Sequence, residues 1–442
     1  MVKQILTINS ALFMKKVILI IAILSLPLYG ISQTLAQQRC ENIGNGINLS
    51  NWLEAYWLVN IPGQPYPVPD WFEKSDLVFM KQMGFTTVRL PVAFERITDT
   101  VPPYHLQTEK LQFALVDSVI SWASELELLL IIDNHHGYVL EDATYEDDIP
   151  RLTAMWKQIV QRYEHVPADE LYFELKNEPE SSISQANLQV VFDAIIDTIR
   201  NVNQTHTIIA GSNYWNSGYS LIASQPYSDD NIIYTFHYYE PFGFTHQGFV
   251  WAGYPGTGIL FPSDQSEVTA MHSLFSDVHQ WAQSYDVPVF LGEFGPGLHA
   301  DTVSRCNWIS EIGFLCDSLN FPFTYWDWEH DFTMFKSRIM CQDSIYTCFE
   351  DALGLEFNGV ITSYIYDIEE DYAVSLFPNP AQNYIEINLP VDVDKIEIYS
   401  NSGQIMKQTC DKYINIQTLV AGIYHVKVYA QYKIYNLSFI KR

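Results

Sequence analysis

Across residues 33–372 the chain alternates two patterns. Short runs of consecutive apolar residues are followed by longer stretches in which apolar residues recur every three to four positions. The first pattern fits a strand buried on both faces, the second a helix that buries one stripe. Eight runs rich in Ile, Leu, Val, Phe and Tyr stand out, at 46–49, 87–91, 128–134, 171–175, 207–211, 232–237, 288–292 and 323–326. Helical patterns lie between them at 110–126, 151–163, 185–202, 268–285 and 302–319. Eight strands alternating with helices over about 320 residues predict an α/β chain folded as a (β/α)8 TIM barrel. A doubly wound open sheet is the alternative, but no GxGxxG follows the first strand and no loop is built to cradle phosphate.

From Tyr372 the rhythm changes. Six short β-type runs, at 384–389, 395–399, 405–408, 413–416, 422–429 and 433–440, are separated by turns such as Asn401-Ser402-Gly403 and Ala421-Gly422. About 70 residues in six or seven strands predict a small all-β sandwich. At the other end, Met14-Lys15-Lys16 precedes the apolar run 17–28, and Gly30-Ile31-Ser32 offers a small-x-small cleavage site before Gln33. A basic head and a brief apolar stretch describe a secretory signal, and the run is shorter than the ~20 residues a membrane span needs. An N-terminal membrane anchor is the competing reading. The expected organisation is a signal peptide at 1–32, a barrel domain at 39–360, a linker at 361–372 and a β-domain at 373–442.

Charge follows the same divisions. The whole chain carries 24 Lys and Arg against 52 Asp and Glu, a net −28. Residues 1–32 hold three Lys and no acid, residues 373–442 hold seven basic and five acidic side chains, and the middle therefore carries −33. A nucleic-acid partner is excluded on this ground, because neutralising phosphates needs a basic face. An anionic membrane surface is a poor partner for the same reason. Six Cys fit an oxidising compartment, and four of them cluster: Cys306, Cys316, Cys341 and Cys348. Cys306 and Cys316 share one predicted helix ten residues apart, which is ~15 Å and too far to bridge. A Cys341–Cys348 bridge is the expected pair.

In a parallel barrel, reactive groups belong at the C-terminal ends of the strands. Strand two contributes Arg89, strand three Asn134-His135-His136, strand four Asn177-Glu178-Pro179, strand six His237-Tyr238-Tyr239, strand seven Glu293, and strand eight Trp326-Asp327-Trp328. Glu178 and Glu293 then face each other across the mouth. Two carboxyls in different environments can divide the work of glycoside cleavage, one protonated to release the leaving group and one ionised to attack the sugar. For either glutamate alone a rim salt bridge is the bland alternative, and for His135, His136 or His237 alone a satisfied core histidine. No HExxH and no Asp/His set at the other strand ends suggest a metal, so no metal or other cofactor is expected. Trp122, Trp156, Trp281 and Trp308 fall in helical patterns and are expected in the core. Trp52, Trp57, Trp215, Trp251, Trp326 and Trp328 fall at strand ends or in loops and are expected as sugar-stacking platforms, with the segments 62–71 and 242–264 as cleft walls.

Leu175-Lys176-Asn177-Glu178-Pro179 and Leu291-Gly292-Glu293-Phe294-Gly295, with the opening Gly46-Ile47-Asn48-Leu49-Ser50-Asn51-Trp52-Leu53-Glu54, resemble glycoside hydrolase family 5, the cellulase family of clan A. The resemblance covers roughly residues 43–357. It implies Glu178 as acid/base and Glu293 as nucleophile, and implies that Arg89 and Tyr239 hold the nucleophile ionised. It further implies that Asn177 bonds the sugar 2-hydroxyl, that His135 and His237 complete the polar floor, and that Trp326 stacks under the sugar. The tail, through Leu376-Phe377-Pro378-Asn379-Pro380-Ala381, 396–403, 419–424 and Phe439-Ile440-Lys441-Arg442, resembles a C-terminal sorting domain of the type 9 (Por) secretion system. That implies the secretion machinery as a partner and export beyond the outer membrane; a carbohydrate-binding module is the alternative. The expectation is a secreted, retaining endo-β-glycanase acting on β-1,4-glucan. Mannan, xyloglucan and β-1,3 or mixed-linkage glucan are alternatives within the family, and a non-catalytic surface glycan-binding protein is a more distant one.

Overall fold

The computed structural model describes residues 33–56, 67, 71–335, 347–356, 374–389, 393, 395–401, 404–430 and 433–442. The expected signal peptide, the linker, Trp57, Cys341 and most of the 62–71 wall lie outside these residues. Among the described residues no helix is long and apolar enough to cross a membrane.

Eight parallel strands close into a barrel: β1 (Asn45–Asn48), β2 (Thr87–Val92), β3 (Leu129–Asn134), β4 (Leu171–Glu174), β5 (Ile208–Ala210), β6 (Ile232–Tyr238), β7 (Val289–Phe294) and β8 (Phe323–Tyr325). Closure is direct, because β1 pairs with β2 on one side and β8 on the other. A helix follows each strand: α1 (Lys74–Gln82), α2 (Leu111–Glu125), α3 (Tyr145–Tyr163), α4 (Gln185–Val202), α5 (Gly218–Ile222), α6 (Gln265–Tyr285), α7 (Thr302–Leu319) and α8 (Thr347–Leu353). The sequence marks their ends. The Ser184, Asp264 and Asp301 side chains accept a backbone N–H in the first turns of α4, α6 and α7, and left-handed Asp286 and Asn320 end α6 and α7. Helix α3 begins at Tyr145, ahead of the expected 151, because Glu146, Asp147 and Asp148 favour a helix N-terminus and carry it past Pro150.

Strand alternation divides the apolar residues into two layers. Leu129, Ile131, Tyr172, Ile209, Ile233 and Phe290 form one buried cluster inside the barrel with Cys40 and Ile43. Cys40 belongs to a short helix (Leu35–Glu41) preceding β1, and its thiol reaches the Val289 carbonyl at 3.6 Å. Alternate residues of the same strands, such as Leu130, Ile132, Phe173, Tyr234 and Leu291, join the larger core beneath the helices. Each such side chain contributes about 1.5–3 kcal/mol on full burial. Cys306 bridges Cys348, tying α7 to α8. This overturns the expected Cys341–Cys348 pair: α8 packs on α7, so the nearer partner in space is 42 residues away in sequence. Cys316 is a buried free thiol.

The tail forms two antiparallel sheets. β13 (Tyr413–Asn415), β10 (Tyr384–Asn388) and β9 (Ser375–Phe377) make one; β12 (Ile405–Thr409), β11 (Lys395–Ser400), β14 (Gly422–Ala430) and β15 (Lys433–Lys441) make the other. Ile385, Ile387, Ile396, Ile398, Val426 and Val428 of both sheets share one core.

Candidate active site

Above the apolar floor, the same alternation turns polar residues into the lumen. Asp133 lies two residues after Ile131, and Glu174 two after Tyr172. Arg89, the third residue of β2, sits deep within its strand and is fully buried. Its guanidinium links the layer. Nε and Nη2 donate to Glu174 at 2.7 and 2.8 Å, Nη2 also donates to Asn177 Oδ1 at 2.8 Å and lies 3.0 Å from Asp133, and Nη1 donates to Asn48 Oδ1 at 2.9 Å and Glu293 Oε1 at 2.7 Å. One cation among three buried carboxyls cannot match them all. Burial accordingly pushes Asp133 up to about 7 against the pull of Arg89, and raises Glu174 as well.

The register between β6 and β7 slips by one residue at Phe236/His237, so that His237 pairs with Glu293. The extra residue in β7 is Gly292. A bulge of this kind turns two successive residues to one side. Only glycine fits there, since a Cβ would lie 2.4 Å from Thr235 Oγ1 and 3.1 Å from His237 Nε2. The slip delivers Glu293 to the lumen, where Tyr239 Oη donates to its Oε2 at 3.1 Å. Across from it, Glu178 Oε1 lies 2.7 Å from His237 Nδ1, and the same Nδ1 is 3.6 Å from Glu293 Oε2. One carboxylate oxygen of each glutamate and one imidazole nitrogen all fall within 4.8 Å of one another.

The two carboxyls differ in surroundings. Burial raises both: Glu293 to about 7, with His237 and Arg89 pulling against the rise, and Glu178 to about 8. Glu178 keeps 28% of its side chain exposed and Glu293 only 5%, so burial alone would order them the other way. The pull of His237 and of the Arg89 ion pair on Glu293 accounts for its lower value. Burial keeps His237 neutral, down at about 4.

Of the sequence-predicted residues, Arg89, Asn177, Glu178, His237, Tyr239 and Glu293 converge in this way. His135 is buried against Asp133, Nδ1 to Oδ2 at 2.5 Å, and stacks on Trp326 with ring centres 5.5 Å apart and planes within 9°. His136 stands exposed beside it in a left-handed backbone conformation. Trp215 and Trp251 are 45% and 66% exposed, and Trp251 donates to Asp331 Oδ2 at 3.0 Å. Trp52 and Trp328 are not platforms. Both point away from the axis: Trp52 packs edge-on against Phe72, and Trp328 packs against Phe79 of α1, Phe85 and Phe335. Trp156, Trp281 and Trp308 are core, and Trp122 packs against it.

Sequence reading missed Asn48, Asp133 and Glu174, although an acid two residues after an inward apolar residue of a buried strand is a readable signal. It also missed Glu95, which accepts from Lys176 Nζ and Arg151 Nη2, each at 3.0 Å, and so braces the segment before Asn177-Glu178.

The family model described as cellulase (glycosyl hydrolase family 5) matches residues 54–332, and that described as a secretion system C-terminal sorting domain matches residues 375–442. The chain is 29% identical over 357 residues to Endoglucanase 3 of Fibrobacter succinogenes, covering 70% of this chain and 52% of that protein. It is 31% identical over 292 residues to Endoglucanase H of Acetivibrio thermocellus, covering 65% of this chain and 30% of that protein. It thus spans about half of the first relative and under a third of the second. Endoglucanase Cel5A of Thermotoga maritima superposes with a TM-score of 0.62 at 28% identity, covering 72% of this chain and 99% of that one. A structure of that enzyme with mannotriose superposes equally, with a TM-score of 0.62 at 27% identity and the same coverage.

Proposed function

We propose, from the premise that this chain belongs to the cellulase family, glycosyl hydrolase family 5, that it is a secreted β-glucan endohydrolase working with retention. The observation that carries the mechanism is the closeness of Glu178 and Glu293, whose nearest oxygens lie within 4.8 Å. Carboxyls ~5–5.5 Å apart suit direct attack on the sugar, whereas inversion needs ~6.5–9.5 Å to admit a water between them. Glu293, paired with Arg89 and Tyr239, is the nucleophile: its carboxylate bonds the anomeric carbon as the glycosidic bond breaks. Glu178 gives its proton to the departing oxygen. Neutral His237 beside it adds no cation that would strip that proton early. The Glu178 carboxylate then takes a proton from the water that displaces the sugar from Glu293. A divalent cation at Glu178, His237 and Glu293 is disfavoured, because both oxygens of Glu293 already accept hydrogen bonds, Oε1 from Arg89 and Oε2 from Tyr239.

The substrate reading is a β-1,4-glucan, with endoglucanases among the relatives as its support. Trp326 on the floor and exposed Trp215 and Trp251 at the mouth suit stacking on successive pyranose rings. Mannan is the second reading, favoured by the mannotriose complex of the similar Thermotoga maritima enzyme. The boundaries we assign are a barrel at 39–360 and a tail at 373–442, the latter addressing the protein to the type 9 machinery and so to the cell surface or beyond. The test is release of reducing ends from carboxymethylcellulose, lichenan, xyloglucan, glucomannan and laminarin, with product sizes followed in time. Early fall in polymer length on the glucans, abolished by Glu178→Ala and by Glu293→Ala, is expected. Full activity in either variant would remove the assignment.

A further inference from the structure

The geometry points to Asn216 as a positioning residue: we propose that its side-chain amide fixes the Asn177–Glu178 peptide so that the acid meets the departing oxygen. The proposal rests on the reading of Glu178 as general acid. Glu178 lies beyond the end of β4, in a segment that must be held by other elements. On one side, Asn177 N donates to Asn134 O at 3.0 Å, and Lys176 is anchored on Glu95. On the other side, two bonds come from the turn after β5. Trp215 N donates to Pro179 O at 2.9 Å, and Asn216 Nδ2 donates to Asn177 O. A carbonyl only accepts, so the amide must face it with its NH2 group.

The surroundings are shaped for this contact. Asn216 is fully buried, and its Oδ1 has no partner among the described protein atoms. A Cβ on Gly211 would lie 2.1 Å from that Oδ1, so glycine at 211 makes room for the amide. Tyr214, Trp215 and Asn216 are all left-handed, with φ of 59°, 56° and 52°. Three successive non-glycine residues in that region are costly and persist only where neighbours over-determine them. The turn thereby grips residues 177–179 with one bond from its backbone and one from a side chain, and the latter can be removed without touching any group that meets the sugar.

The test uses phenyl and 2,4-dinitrophenyl β-cellobiosides, which share a sugar but differ in their need for an acid. Phenol leaves only when protonated; dinitrophenol leaves unaided. Asn216→Gly tolerates the left-handed backbone and deletes the amide, and Asn216→Asp replaces its donor with an acceptor. For both, kcat/KM on the phenyl glycoside should fall about 10- to 100-fold, as misplacement of a catalytic group does, while the dinitrophenyl value stays within about threefold. Glu178→Ala is the reference and should show the same split more strongly. If Glu178→Ala shows the split and the Asn216 variants lose equally on both glycosides, or lose nothing, the positioning role is overturned. If Glu178→Ala itself shows no split, the acid assignment fails and takes this proposal with it.

Discussion

Replacing Tyr239 by Phe removes one proton donor and leaves the ring packed between His246 and Phe332. The phenol donates to Glu293 Oε2 at 3.1 Å, and burial beside Glu293 keeps it protonated and able to do so. A hydrogen bond to a charged group is worth about 1.5–3 kcal/mol, which is about 1–2 pKa units on the carboxylate that accepts it. Glu293 starts near 7, so the variant should carry it to about 8–9, level with or above Glu178 at about 8. The sign follows directly. Attack needs Glu293 ionised, so the acid limb of kcat/KM moves up in pH, while the alkaline limb stays where Glu178 puts it. At pH 6, below both limbs, the loss should equal the shift, about 10- to 100-fold, and at pH 8 it should shrink to several-fold. The pair titrates as a unit, so the limbs report apparent values for both acids together. The assay is kcat/KM on an aryl β-cellobioside from pH 5 to 9. A loss of constant size at every pH, or one that grows with pH, would refute the reasoning.

Two further predictions concern buried acids outside the reacting pair. Glu54 is buried, accepts from the Trp52 amide at 3.1 Å and from that of Asn51, and is raised by burial to about 8. Its folded pKa exceeds the unfolded one, so stability is full below about 4.5 and is lost progressively as pH rises from there through about 8, by up to about 5 kcal/mol for a shift of this size. Glu54→Gln should therefore melt higher than the parent at pH 9 and close to it at pH 4 by calorimetry; an equal gap at both pH values contradicts this. Glu95 is the opposite case: burial raises it, but Lys176 and Arg151 outweigh burial and hold it down to about 2. Glu95→Gln removes the carboxylate that two buried cations share, leaving, among the described residues, only Asp148 to accept from Arg151 and only the Tyr138 carbonyl to accept from Lys176, and should cost about 3–5 kcal/mol in urea unfolding at pH 7. The gap should narrow at pH 3, because Glu95 takes up a proton on unfolding below its ordinary 4.5 and its contribution in the parent is lost as pH falls toward 2; a gap that widens there would be inconsistent.

What the sequence made legible was whatever a period of two or of 3.6 can carry. All eight barrel strands and the six runs of the tail lie where the apolar pattern puts them, because the barrel strands are buried on both faces and tail strands such as β10 and β14 bury alternate residues. Strand seven was read as ending at Gly292 and in fact runs to Phe294. The register slip that turns Glu293 inward depends on pairing with β6, which no single segment encodes. The two glutamates were visible because charged residues at strand ends are rare unless used. Asp133 and Glu174 were overlooked inside runs that otherwise read as apolar. Trp52 and Trp328 show the limit of placing aromatics by loop position: both sit just past strand ends, yet their rings turn outward beneath α1 and the residues around it. The disulfide depended on α7 lying against α8, a tertiary contact that loop length alone does not reveal.

In the proposed mechanism Glu293 forms a bond to the sugar while Glu178 supplies the proton. Incubation with 2,4-dinitrophenyl 2-deoxy-2-fluoro-β-cellobioside, followed by proteolysis and mass spectrometry, tests this directly, since the fluorine slows both formation and release of a covalent intermediate while the dinitrophenolate leaving group speeds only its formation. The expected result is one dinitrophenolate released per protein and a fluorocellobiosyl group on the peptide carrying Glu293, with no label in Glu293→Gln. A label on any other residue, or turnover of ordinary glucan to products that first appear as the α-anomer, would contradict it.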